Sequence, residues 1–571
     1  MTMDMTLKIG GEAGQGIQTV GSLLASACRN AGYYLMAIND FESRIRGGHS
    51  FFQMRISDRP VFAPHSVVDL LVALNPETYD LHKDELSDDA LVIIDTELTT
   101  PDSTLVSVRF NEIAKKVGKS IYSNTVAAAA CLSLLGAPVE SLETILKKQF
   151  QNKSKEVLEK NLEAAQLGYK AVEETSFKHR PLAEVSDPKG ALVEGSKAMA
   201  LGAAAADCRL AAFYPMSPAT SILSHLNGLS GKLPLLVEQA EDEIAAINMV
   251  IGASFAGVRA MTATSGGGFC LMTEGLGLAA ITETPIVIID AQRPGPATGL
   301  PTRTAQGDLD FVIHASQDDF PRFVFAPGSL EQAFNLTVRA FSLAEKYQVP
   351  VILLADQYLL DSLHVLETPF KAQKTIERCI AMDNDMDNPA DYLRFKLTDS
   401  GISPRALPCS GDALVVVSSD EHTEDGHITE EIGPRTVMVD KRNAKLPAML
   451  DEMEPPDHYH SEARILLVGW GSTAGSINEA ARILRDRGLD TGCIVFTDLW
   501  PFPADSVTKL LEGEDRSIWM VEQNQTAQLG GIIRKQTGIA WTHSFLKYDG
   551  RPVYPQEIVD AVESREEITN G

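Results

Sequence analysis

The stretch "EDEIAAINMVIGASFAGVRAMTATSGGG" (residues 241–268) combines a helical pattern, a short apolar run and a glycine-rich turn. Within it, Glu243 shares helical spacing with Ile247 and Val250, which predicts that its carboxyl faces inward. Burying a carboxyl is costly unless a partner, such as a ligand nitrogen, hydrogen-bonds to it. The residues alone leave two interpretations of Glu243 open: a ligand contact, or a helix N-terminal acid favoured by the helix dipole. For the two acids before it we adopt the second.

The segments around this stretch alternate between strand and helix patterns. "RLAAFYP" precedes it, and the buried-strand runs "PIVIID" and "VPVILLAD" follow it. Such alternation predicts a parallel sheet with helices on both faces. The same alternation opens the chain, in "LKIGGEAGQGIQTVGSLLASACRNAG", and recurs in "RILLVGWGSTAGSINEAARILRDRG". We therefore predict an α/β protein with three α/β domains.

The predicted boundaries follow changes in composition. The domains comprise residues 1–175, 190–420 and 463–571. Residues 176–189 form a polar linker with two prolines, and residues 421–462 form an irregular acidic excursion whose histidines are expected to be solvated. A chain of 571 residues is too long for one hydrophobic core, which agrees with several domains.

Composition excludes several classes of function. The 50 basic and 77 acidic residues give a net charge of −27, which argues against a broad nucleic-acid-binding surface. No apolar run is long enough to cross a bilayer, and "MTMDMTLKIGG" lacks the features of a signal peptide. The seven cysteines never occur as C-x-x-C, which gives no support to a disulfide scaffold, a zinc site or a self-contained iron–sulfur cluster. We expect a cytoplasmic protein with no membrane or nucleic-acid partner.

Two glycine-rich turns occur near the start of the chain. "GGEAGQG" (residues 10–16) follows a strand pattern and opens a helix pattern, so its N–H groups are candidates for holding an anion. Its spacing fits neither G-x-G-x-x-G nor a P-loop, and a tight turn without a ligand explains it equally well. "SRIRGGHS" (residues 43–50) places Arg44, Arg46 and His49 beside a second glycine turn. A second anion contact and a plain surface loop both remain open for it.

Several motifs together resemble those of one enzyme family. "YPMSPAT", residues 241–268, "AQRPGPATGLPTRTAQGDL" and "FPRFVFAPGS" resemble the α subunit of 2-oxoacid:ferredoxin oxidoreductases. "GEAGQG" and "RGGHS" resemble the family's γ domain, and "LLVGWGSTAGSINEAARILRDRG", "WPFP" and "VEQN" resemble its transketolase-C-like domain. The order of γ before α, without an attached iron–sulfur segment, is most similar to 2-oxoglutarate:ferredoxin oxidoreductases. The resemblance implies that residues 190–420 form a pyrimidine-binding domain for thiamine diphosphate.

The resemblance also implies roles for individual residues. Glu243 matches the glutamate that exchanges a proton with N1′ of the aminopyrimidine of thiamine diphosphate. Ser217, where the family usually has threonine, and Arg293 match positions that contact the substrate's carboxylate. Thr302 and Arg303 are candidates for a distal carboxylate contact, or alternatively for a salt-bridged loop. The implied cofactor-binding positions are Tyr214, Pro215, Thr264, Ser265 and Gly266.

The γ-like glycine turns suggest a coenzyme A contact. The positions concerned are Gly11, Gly14, Gln15, Gly16 and Arg46. The magnesium–pyrophosphate signature of thiamine enzymes, Gly-Asp-Gly with a downstream asparagine, is absent from the sequence. The chain is therefore expected to hold half of an active site and no metal. The resemblance implies a β subunit that binds the diphosphate, Mg²⁺ and a [4Fe–4S] cluster, within a dimer of heterodimers that reduces ferredoxin.

The predicted reaction is the reversible oxidative decarboxylation of 2-oxoglutarate with coenzyme A to succinyl-CoA and CO₂, with electrons passing to ferredoxin. Run in reverse, it fixes CO₂. Pyruvate or a branched-chain 2-oxoacid remains the alternative substrate. Two other interpretations stay open: a self-sufficient thiamine-dependent decarboxylase, and a non-catalytic nucleotide-binding scaffold.

Overall fold

A computed structural model of the chain describes residues 3–42, 47–95, 105–173, 189–372, 376–386, 388–513 and 515–570. The chain divides into two compact units. The first comprises residues 1–194, 361–369 and 554–557, and the second comprises residues 195–360, 370–553 and 558–571. Each unit is built on sheets flanked by helices, which confirms the predicted α/β class.

The described residues of the first unit form an eight-stranded mixed sheet. In spatial order its strands are β6-β5-β4-β1-β3-β2-β14-β7, with bounds β1 (Asp4–Glu12), β2 (Tyr34–Asp40), β3 (His49–Ser57), β4 (Val68–Ala73), β5 (Leu86–Ile94), β6 (Leu105–Ser107), β7 (Ala191–Glu194) and β14 (Leu363–Leu366). Strand β1 is parallel to β4 and antiparallel to β3. Its helices are α1 (Ile17–Asn30), α2 (Pro76–His82), α3 (Phe110–Val117), α4 (Ser123–Leu134), α5 (Val139–Gln149) and α6 (Lys155–Glu173).

Close helix packing forms the core of this unit. Helix α4 is rich in alanine and is buried almost all round, packing between α1 and α6. A Cβ atom on Gly168 in α6 would lie 2.4 Å from the carbonyl oxygen of Val126 in α4. Only glycine permits this approach, because any side chain at residue 168 would push the two helices apart.

Strand β14 lies in the first sheet, although residue 363 falls within the predicted second domain. It pairs antiparallel with β2 on one side and with β7 on the other. An uncovered edge of β2 would expose unpaired backbone groups, and β14 satisfies them. Nothing in the local sequence reports this pairing, because strand partners are chosen by tertiary contacts.

The second unit contains a seven-stranded sheet in the order β18-β12-β13-β11-β10-β8-β9, parallel except for β18. Its strands are β8 (Leu210–Phe213), β9 (Leu236–Gln239), β10 (Ala260–Thr264), β11 (Ile286–Gln292), β12 (Phe323–Phe325), β13 (Pro350–Asp356) and β18 (Asp498–Trp500). The associated helices are α7 (Gly195–Ala205), α8 (Thr220–Ser230), α9 (Glu243–Phe255), α10 (Gly266–Ile281), α11 (Leu309–His314), α12 (Leu330–Tyr347) and α13 (Gln357–Asp361).

A five-stranded sheet, in the order β15-β17-β16-β19-β20, completes this unit. Its strands are β15 (Asp457–Tyr459), β16 (Ile465–Trp470), β17 (Thr491–Phe496), β19 (Ser517–Glu522) and β20 (His543–Leu546). The remaining helices are α14 (Ile432–Asn443), α15 (Leu446–Asp451), α16 (Ala474–Asp486), α17 (Ala504–Leu511), α18 (Gln528–Thr537) and α19 (Pro555–Asn570). Trp470 and Phe496 of this sheet share one hydrophobic core with Ile288 and Val324 of the seven-stranded sheet.

The predicted irregular excursion, residues 421–462, is more ordered than expected, since it contains α14, α15 and β15. A buried ion-pair cluster holds its helices in place. In this cluster Lys441 and Lys445 each donate a hydrogen bond to Glu283, at 2.6 and 2.5 Å. The apolar periodicity of a helix is not recognisable here, because the lysines on its buried face are polar residues that the sequence alone would place on the surface. His422 is also buried rather than solvated, with its ring 3.8 Å from that of Phe395.

No helix in the described part of the chain is both long enough and apolar enough to span a bilayer. Among the same residues, no group of three or more histidine, cysteine or acidic side chains is arranged to hold a metal ion.

Candidate functional site

The carboxyl ends of β10 and β11 meet the N-terminal ends of α9 and α10 in the second unit. Asp242 caps α9 and accepts a hydrogen bond from the N–H of Ala245 at 2.7 Å, as expected for an N-terminal acid. Glu243, the first residue of α9, is only 3% exposed. Its Oε1 atom accepts no hydrogen bond from any described residue. A buried carboxylate oxygen without a donor is suited to a ligand that brings one.

The first turn of α10 packs directly against this carboxyl. A Cβ atom on Gly268 would lie 2.1 Å from Thr264 Oγ1 and 2.7 Å from Glu243 Oε1. Thr264 and Ser265 are both buried, and within the described part of the chain Ser265 Oγ has no hydrogen-bond partner. Thr264, at the end of β10, and Glu243 thus lie together, and Ser265 and Gly266 continue the same turn into α10.

The two residues predicted to contact a substrate carboxylate are in direct contact. Arg293 follows β11 and its Nη1 donates to the carbonyl oxygen of Ser217 at 2.7 Å. Ser217 is exposed. Of the residues before it, Tyr214 is exposed and Pro215 is half-buried. Burial lowers the pKa of Arg293, opposed by the negative charge of Asp308. The guanidinium is therefore partly desolvated, which strengthens its attraction for an anion.

Two acidic residues that the sequence interpretation passed over, Asp290 and Asp308, lie at the same edge. Asp290 in β11 is opposite Thr264 in β10 and fully buried, and neither of its carboxylate oxygens has a hydrogen-bond partner among the described residues. Burial, and then the charge of Asp308, raise the pKa of Asp290 well above its ordinary value. An acid at the carboxyl end of an otherwise apolar parallel strand is the signal that would have found it.

Asp308 packs against the turn at the start of α10. Its Oδ2 is 2.5 Å from the position that a Cβ atom on Gly266 would occupy, and its backbone N–H donates to the side chain of Gln292 at 3.1 Å. Burial raises the pKa of Asp308 to about 6, against the opposing charge of Arg293. In the sequence, Asp308 lies within "AQRPGPATGLPTRTAQGDL", and the resemblance implies no role for this residue.

Thr302 and Arg303 lie in the long loop that begins at Arg293. Gln306 anchors this loop on the five-stranded sheet, donating from Nε2 to the carbonyl of Trp470 and from its backbone N–H to the carbonyl of Gln523, both at 2.8 Å. Thr302 is buried and Arg303 is half-buried. The "WGS" and "VEQN" motifs therefore help to position the loop that carries both candidates.

Helices α9 and α10 leave an unusual surface beside the site. Both helices are apolar around most of their circumference, yet Ile244 and Met249 of α9 are 51% and 42% exposed, and Leu271 of α10 is 51% exposed. A helix that is apolar all round is normally buried. We refer to these three exposed apolar side chains of α9 and α10, those of Ile244, Met249 and Leu271, as the apolar helix face.

In the first unit, the two glycine-rich turns lie at the same end of the sheet, because Glu12 of β1 pairs with His49 of β3. Gly14 and Gly16 adopt φ values of 94° and 83°, a region that disfavours other residues. A cavity of about 310 Å³ adjoins this loop. It is lined by Gly14, Gln15, Leu74, Asp95, Phe110, Asn111, Ser120, Ile121, Ser123 and Asn124. Gly11 lies in β1, Gly16 borders Asn124, and Arg46 lies outside the described residues.

His49 is not the cation that an anion-binding turn would use. Its Nε2 is 2.7 Å from Nε2 of His82, and His82 in turn contacts Glu85 and Lys8. Burial, followed by the neighbouring charges of His82 and Lys8, lowers the pKa of His49 to about 4. The His49 ring is therefore neutral near pH 7, and of the second turn's basic residues only those outside the described part remain as candidates for an anion contact.

Three protein-family models match the chain. The model described as pyruvate flavodoxin/ferredoxin oxidoreductase, thiamine diphosphate-binding, matches residues 201–441. The pyruvate ferredoxin/flavodoxin oxidoreductase model matches residues 6–171, and the model for core domain II of pyruvate:ferredoxin oxidoreductase matches residues 463–558. The three matches follow the order of the three sheet-forming regions.

Individual proteins are similar over most of the chain. The 2-oxoacid:ferredoxin oxidoreductase subunit alpha of Sulfolobus sp. is 34% identical, covering 98% of this chain and 96% of that protein. The 2-oxoglutarate synthase subunit KorA of Methanothermobacter marburgensis is 32% identical over 65% of this chain and 97% of its own length. A solved structure of 2-oxoglutarate:ferredoxin oxidoreductase from Magnetococcus marinus, with 2-oxoglutarate, coenzyme A and succinyl-CoA bound, aligns with a TM-score of 0.89 and 31% identity, covering 98% of this chain and 99% of that chain.

Proposed function

The chain belongs to the 2-oxoacid:ferredoxin oxidoreductase alpha subunits, and on that basis we propose that it carries the pyrimidine-binding half of the active site of a 2-oxoglutarate:ferredoxin oxidoreductase. The overall reaction converts 2-oxoglutarate and coenzyme A to succinyl-CoA and CO₂ and passes two electrons, one at a time, to ferredoxin. The observation that carries the proposal is Glu243, a buried carboxyl whose Oε1 has no donor among the described residues.

Glu243 fits a thiamine diphosphate site. Gly268 leaves open the space that a side chain would fill beside the Glu243 carboxyl and Thr264. The carboxyl is held at the first residue of α9, where it would exchange a proton with a ring nitrogen of the bound pyrimidine. Thr264, Ser265 and Gly266 would hold the same ring from the adjoining turn, with Tyr214 and Pro215 on the segment after β8. When bound, the cofactor supplies a nucleophilic carbon and an electron sink for decarboxylation.

Arg293 and Ser217 bind the substrate's carboxylate in this proposal. The contact between Arg293 and the Ser217 carbonyl orients the guanidinium, which leaves its other N–H groups for a planar anion. Partial burial of Arg293 removes competing water, which strengthens the contact with the bound carboxylate.

The substrate is 2-oxoglutarate rather than pyruvate in our proposal. The structure from Magnetococcus marinus aligns over nearly the full length of both chains, and it has 2-oxoglutarate and succinyl-CoA bound. The half-buried Arg303 and the buried Thr302 supply a second cation and a hydroxyl in the same loop as Arg293, as a distal carboxylate requires. Relatives described only as 2-oxoacid enzymes leave pyruvate as the competing assignment.

The exposed side chains of the apolar helix face are a reason to propose a partner chain. Ile244 directly follows Glu243 at the start of α9, so a second polypeptide that covers this exposed side chain would also lie beside the site. We propose that this partner is a β subunit that binds the diphosphate, Mg²⁺ and a [4Fe–4S] cluster and delivers electrons to ferredoxin. Two such pairs would form the assembly, a dimer of heterodimers.

Coenzyme A is assigned to the cavity beside the first glycine loop. Its volume of about 310 Å³ is at the lower end of ligand-binding pockets. Hydroxyl and amide groups of Ser120, Ser123, Asn111 and Asn124 line it, together with one acid. Such a lining suits the neutral pantetheine arm better than the phosphates, for which Arg46 is our candidate.

A matched pair of variants tests this cavity. No atom lies within 4 Å of a Cβ on Gly14, so Gly14→Trp has room to project, and Gly14→Asn is the control that places a side chain on the same positive-φ backbone without the bulk. In the assembled complex we expect Gly14→Trp to raise the Kd for coenzyme A at least tenfold and Gly14→Asn to change it little. Unchanged affinity in the tryptophan variant would remove coenzyme A from this loop.

The decisive experiment on the function uses the chain assembled with its partner. Ferredoxin reduction is measured with 2-oxoglutarate, pyruvate and 2-oxoisovalerate, each with coenzyme A. We expect the highest kcat/KM for 2-oxoglutarate, and we expect Arg303→Met to raise its KM while leaving the KM for pyruvate unchanged. A preference for pyruvate would reassign the substrate, and activity of the isolated chain would contradict the need for a partner.

A further inference from the structure

Thr304, which directly follows Arg303, takes part in a buried hydrogen-bond network. Its hydroxyl donates to the carboxyl of Asp356, the last residue of β13, and accepts from the N–H of Tyr358 at 3.4 Å. Thr304 and Asp356 are both only 2% exposed. Water cannot easily replace a hydrogen bond at such a buried position, so the contact fixes the backbone next to Arg303.

Asp356 is itself held from two further directions. It accepts from the N–H of Leu359 at 2.8 Å and from the hydroxyl of Ser472, which lies in the turn after β16. Further along the loop, Gln306 exchanges hydrogen bonds with Gln523 through its backbone N–H and its side-chain oxygen. The loop segment that contains Arg303 is therefore attached to the end of β13 and to the five-stranded sheet.

A second contact reaches Arg303 from the segment after β20. A Cβ atom on Gly550 would lie 3.0 Å from Cβ and 3.3 Å from Cγ of Arg303, which is closer than such atoms normally pack. The carbonyl oxygen of Gly550 accepts from the N–H of Thr304 at 3.2 Å, so the two segments are joined at this point. Gly550 has a φ of 82°, which glycine adopts readily and other residues rarely do. A side chain at residue 550 would displace Arg303.

Resting on the function proposed above, we propose that Thr304 and Gly550 are positioning residues that set the direction of the Arg303 side chain and thereby select a dicarboxylic 2-oxoacid over pyruvate. Arg303 contacts the distal carboxylate, and the other two act only through Arg303. A long side chain that is already held in place loses less conformational entropy when it binds an anion. Pyruvate has no distal carboxylate, so its binding does not depend on where Arg303 points.

Thr304→Val and Thr304→Ser are a matched pair that tests the hydroxyl. Valine keeps the shape of threonine without the hydroxyl, whereas serine keeps the hydroxyl without the methyl group. In the assembled complex we expect Thr304→Val to raise the KM for 2-oxoglutarate about tenfold and the KM for pyruvate less than about twofold, as for one lost buried hydrogen bond. Thr304→Ser should stay close to the wild type. A hydroxyl that only stabilises the fold would affect both substrates alike, so equal changes, or none, would overturn the inference.

Gly550→Ala tests the second contact. We expect it to raise the KM for 2-oxoglutarate at least about threefold, with little effect on pyruvate, because small misplacements of a binding group weaken binding steeply. The control is Gly488→Ala. Gly488 has a φ of 92°, but no atom lies within 4 Å of its Cβ position, so alanine there strains the backbone without displacing a neighbour. The same change of specificity in both variants would overturn the role of Gly550.

Double variants with Arg303→Met show whether both residues act through Arg303. Once the guanidinium is removed, Thr304→Val and Gly550→Ala should each change the KM for 2-oxoglutarate by less than about twofold. Effects that add in full would overturn the inference and leave the proposed function in place. A wild-type complex that prefers pyruvate would overturn the proposed function, and the inference with it.

Discussion

Oε1 of Glu243 lies 2.7 Å from the point that a Cβ atom on Gly268 would occupy. The carboxyl at the start of α9 is thus in contact with the backbone at the start of α10, and glycine is required between them. Helices α9 and α10, which are separated by β10 in the sequence, touch where the Glu243 carboxyl packs against the backbone of Gly268.

Glu243→Gln should abolish most turnover while leaving the fold intact. Glutamine keeps the shape of the side chain but cannot exchange a proton, and general acid–base catalysis typically contributes about 10²- to 10⁴-fold. We expect kcat of the assembled complex to fall within that range. The matched control is Glu241→Gln, which should leave kcat unchanged because Glu241 is exposed. Full turnover in Glu243→Gln would contradict the assignment of this residue.

Gly268→Ala should destabilise the chain, whereas Gly267→Ala should not. A Cβ at residue 268 meets Thr264 Oγ1 at 2.1 Å, and overpacking of this kind costs about 1–3 kcal/mol. At residue 267 the nearest atom is the Ala297 carbonyl oxygen at 3.6 Å, so alanine there should gain helix propensity. Denaturant unfolding of both variants measures the difference. Equal stability would show that the turn relaxes without cost.

Glu283→Gln should lower the melting temperature more than Lys445→Met. Glu283 is the shared partner of Lys441 and Lys445, and all three side chains are about 1% exposed. Removing the acid leaves two lysines buried without it, and breaking such a cluster costs about 3–5 kcal/mol. Removing Lys445 leaves the Lys441–Glu283 pair in place. Thermal unfolding at pH 7 tests the order, and the reverse order would show that Lys445 contributes more to stability than the acid it shares with Lys441.

Glu421 should make the stability of the second unit sensitive to acid. Burial would raise the pKa of Glu421, but hydrogen bonds from Arg442 and Arg435 outweigh it and lower the pKa to about 2. Because the folded pKa is below the ordinary 4.5, this contribution is present above pH 4.5 and is lost as pH falls toward 2.

The matching measurement is the melting temperature between pH 6 and pH 3. Glu421→Gln should melt lower than the wild type at pH 6, and the gap should narrow in acid. Glu430→Gln, at an exposed acid in the same segment, should follow the wild-type curve. A gap that stays constant with pH would mean that the ion pair contributes no pH-dependent stability.

Much of the architecture was predictable from local patterns. Alternating apolar strands and helices indicated α/β domains, and the 241–268 stretch placed Glu243 on the buried face of a helix. Asp242 was correctly predicted as an acid at that helix's N-terminus. These predictions succeed because periodicity and capping depend on neighbours within a few residues.

The predictions that were wrong concern side chains and strands whose partners are distant in the sequence. The buried lysines of α14 and of the turn after it, and the buried His422, looked like surface residues because Glu283 and Phe395 are far from them in the chain. The pairing of strand β14 with β2 could not be predicted for the same reason, because the two strands are far apart in the sequence.

By itself, the sequence determined the α/β class, the order of the domains and the acid that faces inward at the start of α9. Only the tertiary structure decided that Asp290 and Asp308 adjoin the same turn and that Arg293 contacts Ser217. The physical reason is that parallel strands gather their carboxyl ends at one edge of a sheet whatever their separation along the chain. Side chains tens of residues apart then share one desolvated space, and their charges act on each other only there.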